Sequence, residues 1–279
     1  MSSKSKWKTL FYMLEKLQCY SLVFFLTPCY FIFHLIIVRP QIVEMYEFGT
    51  ARHWFHIIMS SFCFMNVVGN MFMAIFTDTS LKMFRRPIHV ERDEKYSYCE
   101  LCKKHQPPKS WHCDRCNICI LRRDHHCFFF SRCVGLYNQR YYLLYLIYIL
   151  ISVVYSTYYD YFFISSKYED YGFILAVVQI FNPVVRLLTA DALGIKELYV
   201  LFFILNLVLV CWITLLVWFH VKNAMAGITA YEFKSQTVDI SKWKTNMLMV
   251  FGTKWYLAIF FPFVDSPFPE VCSEEAKVS

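Results

Sequence analysis

Between Cys99 and Cys133 the chain places seven of its twelve cysteines, with His105, His112, His125 and His126 among them. The row reads CELC, then nine residues, then HCDRCNIC, then DHHC, then a last cysteine. A Cys-x-x-Cys turn aims two thiolates at one ion, and zinc takes four nitrogen or sulfur ligands in a tetrahedron. Two closed centres of that kind consume six cysteines and two histidines, so one of the seven cysteines is left over. The count does not say which. In extended backbone, side chains alternate sides. Within Asp124-His125-His126-Cys127, His125 and Cys127 would then share a face and His126 would point the other way. His126 is thus free to bind metal while His125 reaches a thiol.

These residues need a scaffold, and its nature shows in the runs around them. The chain is 57% hydrophobic with a mean hydropathy of +0.38, too apolar for an ordinary soluble domain. Residues 17–38, 53–77, 141–159 and 198–221 carry no Asp, Glu, Lys or Arg. Each is near the ~20 residues that a helix needs to cross a bilayer. A fifth stretch, 172–188, is broken by Pro183 and Arg186 and is read as non-spanning. The basic N-terminus is not followed by a cleavage site and reads as leading into a retained helix; Ser2 gives no myristoylation signal. The expected architecture is an all-α polytopic membrane protein with four transmembrane helices. A zinc-binding cysteine-rich domain lies between the second and third.

Lys and Arg set the orientation. Segment 79–140 holds thirteen, against two in 39–52 and three in 165–197. The termini and segment 79–140 are therefore expected in the cytosol, where disulfides are disfavoured and zinc is the natural partner of the cysteines. The divisions expected are 1–78 with helices one and two, 79–140 for the cysteine-rich domain, 141–221 with helices three and four, and 222–279 as a cytosolic tail. Segment 79–140 also has seven more basic than acidic residues, equal to the whole chain's net charge of +7. That surplus suits an anionic leaflet or a polyphosphate ligand. Cys19, Cys29, Cys63 and Cys211 read as packing residues, Cys272 as a tail thiol, and His105 beside Pro107 and Pro108 as a solvated loop residue.

From Cys99 to Asn138 the spacing is Cys-x2-Cys-x9-His-Cys-x2-Cys-x2-Cys-x4-Asp-His-His-Cys-x5-Cys-Val-Gly-x2-Asn. This resembles the cysteine-rich domain of the DHHC protein S-acyltransferases (palmitoyltransferases), and four spans around it fit the same family. The resemblance implies two interleaved structural zinc sites. Cys99, Cys102, His112 and Cys119 would hold one ion, and Cys113, Cys116, His126 and Cys133 the other. It makes Cys127 the nucleophile, which takes a long-chain acyl group from acyl-CoA (palmitoyl-CoA) and passes it to cysteine thiols of cytosolic or membrane protein substrates near the bilayer. His125 would be its general base, oriented by Asp124. Arg122 and Arg123 could meet the phosphates of CoA, and Phe128 and Phe129 could line the mouth of an acyl cavity or anchor the loop in the bilayer surface. The third span would carry the cavity floor near Ser152 to Tyr155, with Tyr155 and Tyr158 as bulky neighbours. An endoplasmic reticulum or Golgi membrane is the family's expectation; the tail EEAKVS carries no KDEL-type or dilysine signal.

The chain departs from the family pattern at several points. Phe128-Phe129 replaces Pro-Trp after the nucleophile, and Ser131-Arg132 replaces Asn-Asn before the last ligand. TDTSLK keeps Asp78 of Asp-Pro-Gly, and TAYE keeps Thr229 and Glu232 but loses the second Thr of Thr-Thr-x-Glu. NMLMVFG, Asn246 to Gly252, resembles the C-terminal packing motif. These departures mark a divergent member. They leave a second reading open, a catalytically weak or inactive zinc-bearing membrane scaffold. A nucleic-acid-binding zinc finger is disfavoured by the two flanking spans and the ligand spacing, and a RING-type ligase by its spacing.

Overall fold

The computed structural model describes residues 3–34, 49–83, 96–165, 172–182, 184–185, 195–233 and 238–269. Four helical stretches are long and apolar enough to cross a membrane: Leu10–Phe33, Ala51–Phe76, Gln139–Ser165 and Tyr199–Ala226. They run to 24–28 residues, more than the hydrocarbon core requires. Phe24, Phe25, Ile58, Trp212, Leu215 and Trp218 on these helices are exposed. Apolar surface of that extent suits lipid rather than water.

The first stretch is α1, Ser3–Ser21, continued by a π-helical segment, Leu22–Leu26, into α2, Thr27–Phe33. Pro28 has no amide hydrogen and cannot close a normal turn on Phe24. The helix widens just before it, where the Thr27 amide bonds the Leu22 carbonyl. The other long helices are α3 (Ala51–Phe76), α4 (Gln139–Ser165) and α6 (Ile195–Ala226). Between the last two lies α5, Gly172–Phe181, whose ten residues are about half of what a span needs. Pro183 and Arg186 lie outside the described residues. Two short helices follow, α7 (Trp243–Phe251) and α8 (Trp255–Phe260).

The described residues fall into two compact units. One is drawn from 28–65 and 147–216. Its core joins Phe163, Ile164, Ala176 and Val200, so α5 packs against its neighbours through Ala176. Several polar side chains in this unit pair with one another. Asn206 donates to Asp160 at 2.7 Å, His34 lies 3.3 Å from the same carboxylate, and the Tyr30 hydroxyl bonds Ser156. Ser152 bonds the Tyr148 carbonyl at 2.7 Å, and the Tyr155 hydroxyl bonds His56. Tyr158 is exposed and does not point inward. Cys63 is buried, as expected of a packing residue, but Cys29 and Cys211 are exposed.

The other unit is drawn from 1–27, 66–146 and 217–279 and contains every cysteine from Cys99 to Cys133. Its cysteine-rich segment corrects the all-α expectation. It is three antiparallel hairpins of three-residue strands: β1 (Ser97–Cys99) with β2 (Lys104–Gln106), β3 (Trp111–Cys113) with β4 (Ile118–Ile120), and β5 (His125–Cys127) with β6 (Arg132–Val134). Each Cys-x-x-Cys must turn the chain sharply. Lys103 and Asn117, each directly after the second cysteine of such a pair, take φ of 50° and 53°. The amides of Cys102 and Cys116 point at the sulfurs of Cys99 and Cys113, at 3.4 and 3.5 Å. Such turns leave no length for a helix. His105 sits in β2 opposite Tyr98, with ring centroids 4.9 Å apart, rather than in a solvated loop.

Several contacts seat the hairpins on the helices. Asn138 accepts from the Gly135 amide at 2.8 Å and donates to the carbonyls of Ala74 and Cys133, both at 3.0 Å. A side chain at Gly135 would meet the Leu121 carbonyl and the Thr79 hydroxyl, each at 2.6 Å. Asp78 keeps its turn without Pro-Gly by accepting the Ser80 amide at 2.8 Å. Arg132, one of the departures, bonds the Ile75 carbonyl in the last turn of α3. Asn246 of α7 bonds the Met225 carbonyl at 2.8 Å, next to Gly227, whose φ of 70° ends α6.

Candidate active site and metal centres

The hairpin registers assemble the ligand sets. His112 pairs with Cys119 across β3 and β4, and His126 with Cys133 across β5 and β6. A hairpin partner lies close enough to share an ion, and each Cys-x-x-Cys turn supplies the other two sulfurs. Cys99, Cys102, His112 and Cys119 converge in one group, and Cys113, Cys116, His126 and Cys133 in another.

The spacing within each group fits zinc. Bonds of about 2.3 Å to sulfur and 2.0–2.1 Å to nitrogen in a tetrahedron place ligand atoms roughly 3.6–3.8 Å apart. His112 Nδ1 lies 3.7, 3.3 and 3.9 Å from the sulfurs of Cys99, Cys102 and Cys119. His126 Nδ1 lies 3.6, 3.3 and 3.7 Å from those of Cys113, Cys116 and Cys133. The sulfurs of Cys116 and Cys133 are 3.7 Å apart. These separations are close to the edges of a tetrahedral zinc site, with Nδ1 as the nitrogen that faces the sulfurs. The two groups are capable of binding zinc and leave Cys127 out of both.

Strand β5 is extended, and its alternation divides the three reactive residues. His126 turns to the metal group, and His125 turns the opposite way to Asp124 and Cys127. His125 Nδ1 bonds Asp124 Oδ2 at 2.8 Å, which leaves Nε2 for proton exchange. The Asp124 carboxylate is buried and accepts the Ala230 amide at 2.6 Å on Oδ1. His220 of α6 approaches Oδ2 with Nδ1 at 3.5 Å, while its Nε2 is 3.1 Å from the Tyr142 hydroxyl. Asp124, His125 and His220 could form a third cation site by ligand type. The 2.8 Å between His125 and Asp124 is a hydrogen bond, shorter than the roughly 3.3 Å edge of a tetrahedral nitrogen–oxygen site.

The charges follow from this geometry. Burial by itself would raise the Asp124 carboxyl, but hydrogen bonds from His125 and His220 outweigh it and hold the group below its ordinary range. Burial would likewise lower His125, and the Asp124 carboxylate with the Cys127 sulfur outweighs it, raising the imidazole to about 9. His125 is therefore a strong proton acceptor next to a thiol.

The remaining sequence candidates separate. Arg122 is buried and donates to the Gly227 carbonyl at 3.5 Å. Arg123 donates to the His112 carbonyl at 3.1 Å and lies over the Tyr231 ring. Phe128 and Phe129 are about half exposed, whereas Phe130 is buried against Tyr145, with centroids 5.1 Å apart. Thr229 bonds Glu232 through both its amide and its hydroxyl at 3.0 Å, which shapes the TAYE turn that presents the Ala230 amide. His220 and Glu15 are contacts that sequence reasoning missed. Each is a single polar residue far along the chain from the cysteine row, with nothing in its spacing to tie it to the cysteines.

Bilayer-length helices joined to a zinc-capable module of short hairpins define an integral membrane protein with a cysteine-rich domain. Residues 92–237 match the family model described as DHHC palmitoyltransferase, and the chain belongs to that family. Among curated relatives, the rat protein named "Probable palmitoyltransferase ZDHHC24" is 29% identical over 224 residues, covering 76% of this chain and 74% of its own. The human protein of the same name is 27% identical over 234 residues, covering 79% and 78%. "Palmitoyltransferase PFA3" of Kluyveromyces lactis is 41% identical over 71 residues, covering 25% of this chain and 21% of its own.

Proposed function

We propose that the chain is a protein S-acyltransferase that carries a long-chain acyl group on Cys127, from acyl-CoA to cysteine thiols of protein substrates. One observation carries this reading. The two metal groups use eight ligands, and the cysteine they leave out is buried beside an imidazole already tied to a carboxylate. A free thiol is mostly protonated at neutral pH, and the thiolate is the nucleophile. His125, raised to about 9, holds the Cys127 proton as an imidazolium, and the thiolate attacks the thioester carbon of acyl-CoA. The CoA sulfur leaves and takes that proton back. In the second half a substrate thiol gives its proton to His125, attacks the acyl-enzyme, and Cys127 leaves as the thiolate. Asp124 fixes the His125 tautomer and stabilises the imidazolium formed in each half. Zinc, when bound, would supply structural closure of the hairpins through the eight ligands named above.

The basic surplus of 79–140, with Arg122 and Arg123, would meet the CoA phosphates. Phe128 and Phe129 would face the acyl chain or the bilayer surface. With the termini and this segment in the cytosol, Cys127 would work at the cytosolic face of an endoplasmic reticulum or Golgi membrane. The scaffold reading draws on Phe128-Phe129 and Ala230, which differ from the family next to the nucleophile and its acid. One experiment separates the two. Cys127→Ser should abolish labelling of the purified chain by a clickable palmitoyl-CoA while its zinc content stays unchanged. Labelling that persists in this variant refutes Cys127 as the acyl carrier, and a wild-type chain that never labels supports the scaffold.

A further inference from the structure

Glu15 is a buried acid on the first helix, α1, and the proposed chemistry does not use it. Its Oε1 lies 2.5 Å from His126 Nε2, and its Oε2 accepts from Arg115 Nη1 at 3.1 Å. His126 faces the second metal group through its other nitrogen, Nδ1. A carboxylate that takes the outer N–H of a ligating histidine fixes its tautomer and makes it a better ligand. Among the described residues the first metal group has no equivalent. There His112 Nε2 finds only Asp114, at 3.9 Å, and that side chain is 88% exposed. Arg115, the other partner of Glu15, lies 4.5 Å over the Phe128 ring, and Phe128 directly follows Cys127. The His126 and Phe128 rings are themselves edge to face, 5.8 Å apart.

We propose that Glu15 is a positioning residue for the second metal centre: it holds His126 in the Nδ1-ligating tautomer and, through Arg115, seats Phe128 beside Cys127. The two metal centres are then unequal. One is locked by a carboxylate from α1, and the other closes within the hairpins. Seating Phe128 from α1 would also supply stiffness after the nucleophile, where this chain lacks the proline of its family. The inference rests on the zinc assignment made above.

The test is zinc release from the purified full chain in detergent, followed with a colorimetric chelator. The wild type should hold two ions per chain. Glu15→Ala should speed release of one ion by about tenfold or more and leave the other within about twofold. Glu15→Gln keeps an acceptor without the charge and should fall between. Asp114→Asn, the exposed counterpart at the first centre, should change neither. Release of both ions at wild-type rates from Glu15→Ala overturns the proposal, and so does an equal acceleration of both, which a general loosening of α1 would give. Should the Ala and Gln variants not fold, Glu15→Asp keeps a buried anion but draws it back by a methylene. It should still speed the same ion, and wild-type release from it overturns the proposal. A chain that purifies without zinc overturns the metal assignment itself, whereas two ions with unchanged release overturn only the role of Glu15.

Discussion

The backbone amide of Ala230 donates to the Asp124 carboxylate at 2.6 Å, so the acid of the reactive row is gripped by a residue 106 positions further along the chain. His125 takes the other carboxylate oxygen at 2.8 Å. Asp124→Asn keeps an acceptor for the Ala230 amide but cannot stabilise an imidazolium. Acyl-enzyme formation, read in a single-turnover assay with palmitoyl-CoA, should fall about 10²-fold or more. Stability should shift with pH in a defined direction. His125 is raised to about 9 in the fold, above its ordinary 6.5. The contribution of this pair is therefore complete below pH 6.5 and is lost as pH rises through about 9. The stability advantage of the wild type over Asp124→Asn should shrink over that window. An advantage that grows with pH would contradict the pairing.

His220 touches the same carboxylate from α6, with Nδ1 at 3.5 Å, and holds the Tyr142 hydroxyl with Nε2 at 3.1 Å. His220→Phe keeps an aromatic ring in place and removes both nitrogens. The contact is longer than that of Ala230, so the effect should be smaller. We expect acylation to slow about tenfold, or ~1.4 kcal/mol in the barrier, with zinc content unchanged. An unchanged rate would mean that the Ala230 amide alone holds Asp124.

What the sequence made legible follows from where the information sits. The metal groups are local in sequence, so their spacing names them, and the spans are local runs of uncharged residues. The hairpins were hidden because strands of three residues show no period to read. The grip on Asp124 was hidden for a different reason. TAYE loses a threonine, yet the contact is made by the Ala230 amide, and a residue's letter does not report its backbone. Glu15 and His220 were hidden because their partners lie 111 and 96 positions away, and only folding brings them together.

Ser131 sits in the turn between β5 and β6 with φ of 50°, and its buried hydroxyl has no hydrogen-bond partner among the described residues. An L side chain in that region is strained, and glycine is not. Ser131→Gly should remove both penalties and raise stability by about 1 kcal/mol. Thermal unfolding of the purified chain measures it. A loss of stability would show that the serine side chain makes a contact worth more than the strain.

Metal removal should separate the hairpins from the helices. The buried cluster under β3 and β4 joins Cys113, Ile120 and Cys133, and two of those three belong to the second metal-capable group. Without ions, the thiolates of each group would repel one another, and strands of three residues bury too little to hold them. Bound ions would therefore stand in for a hydrophobic core. The long helices satisfy their own backbone and do not need them. A strong chelator should open 96–138 to limited proteolysis and abolish acyl labelling, while helical circular dichroism stays near its starting value. Excess zinc under reducing conditions should restore both. Proteolytic resistance that survives complete zinc removal would show that the hairpins are held by packing alone.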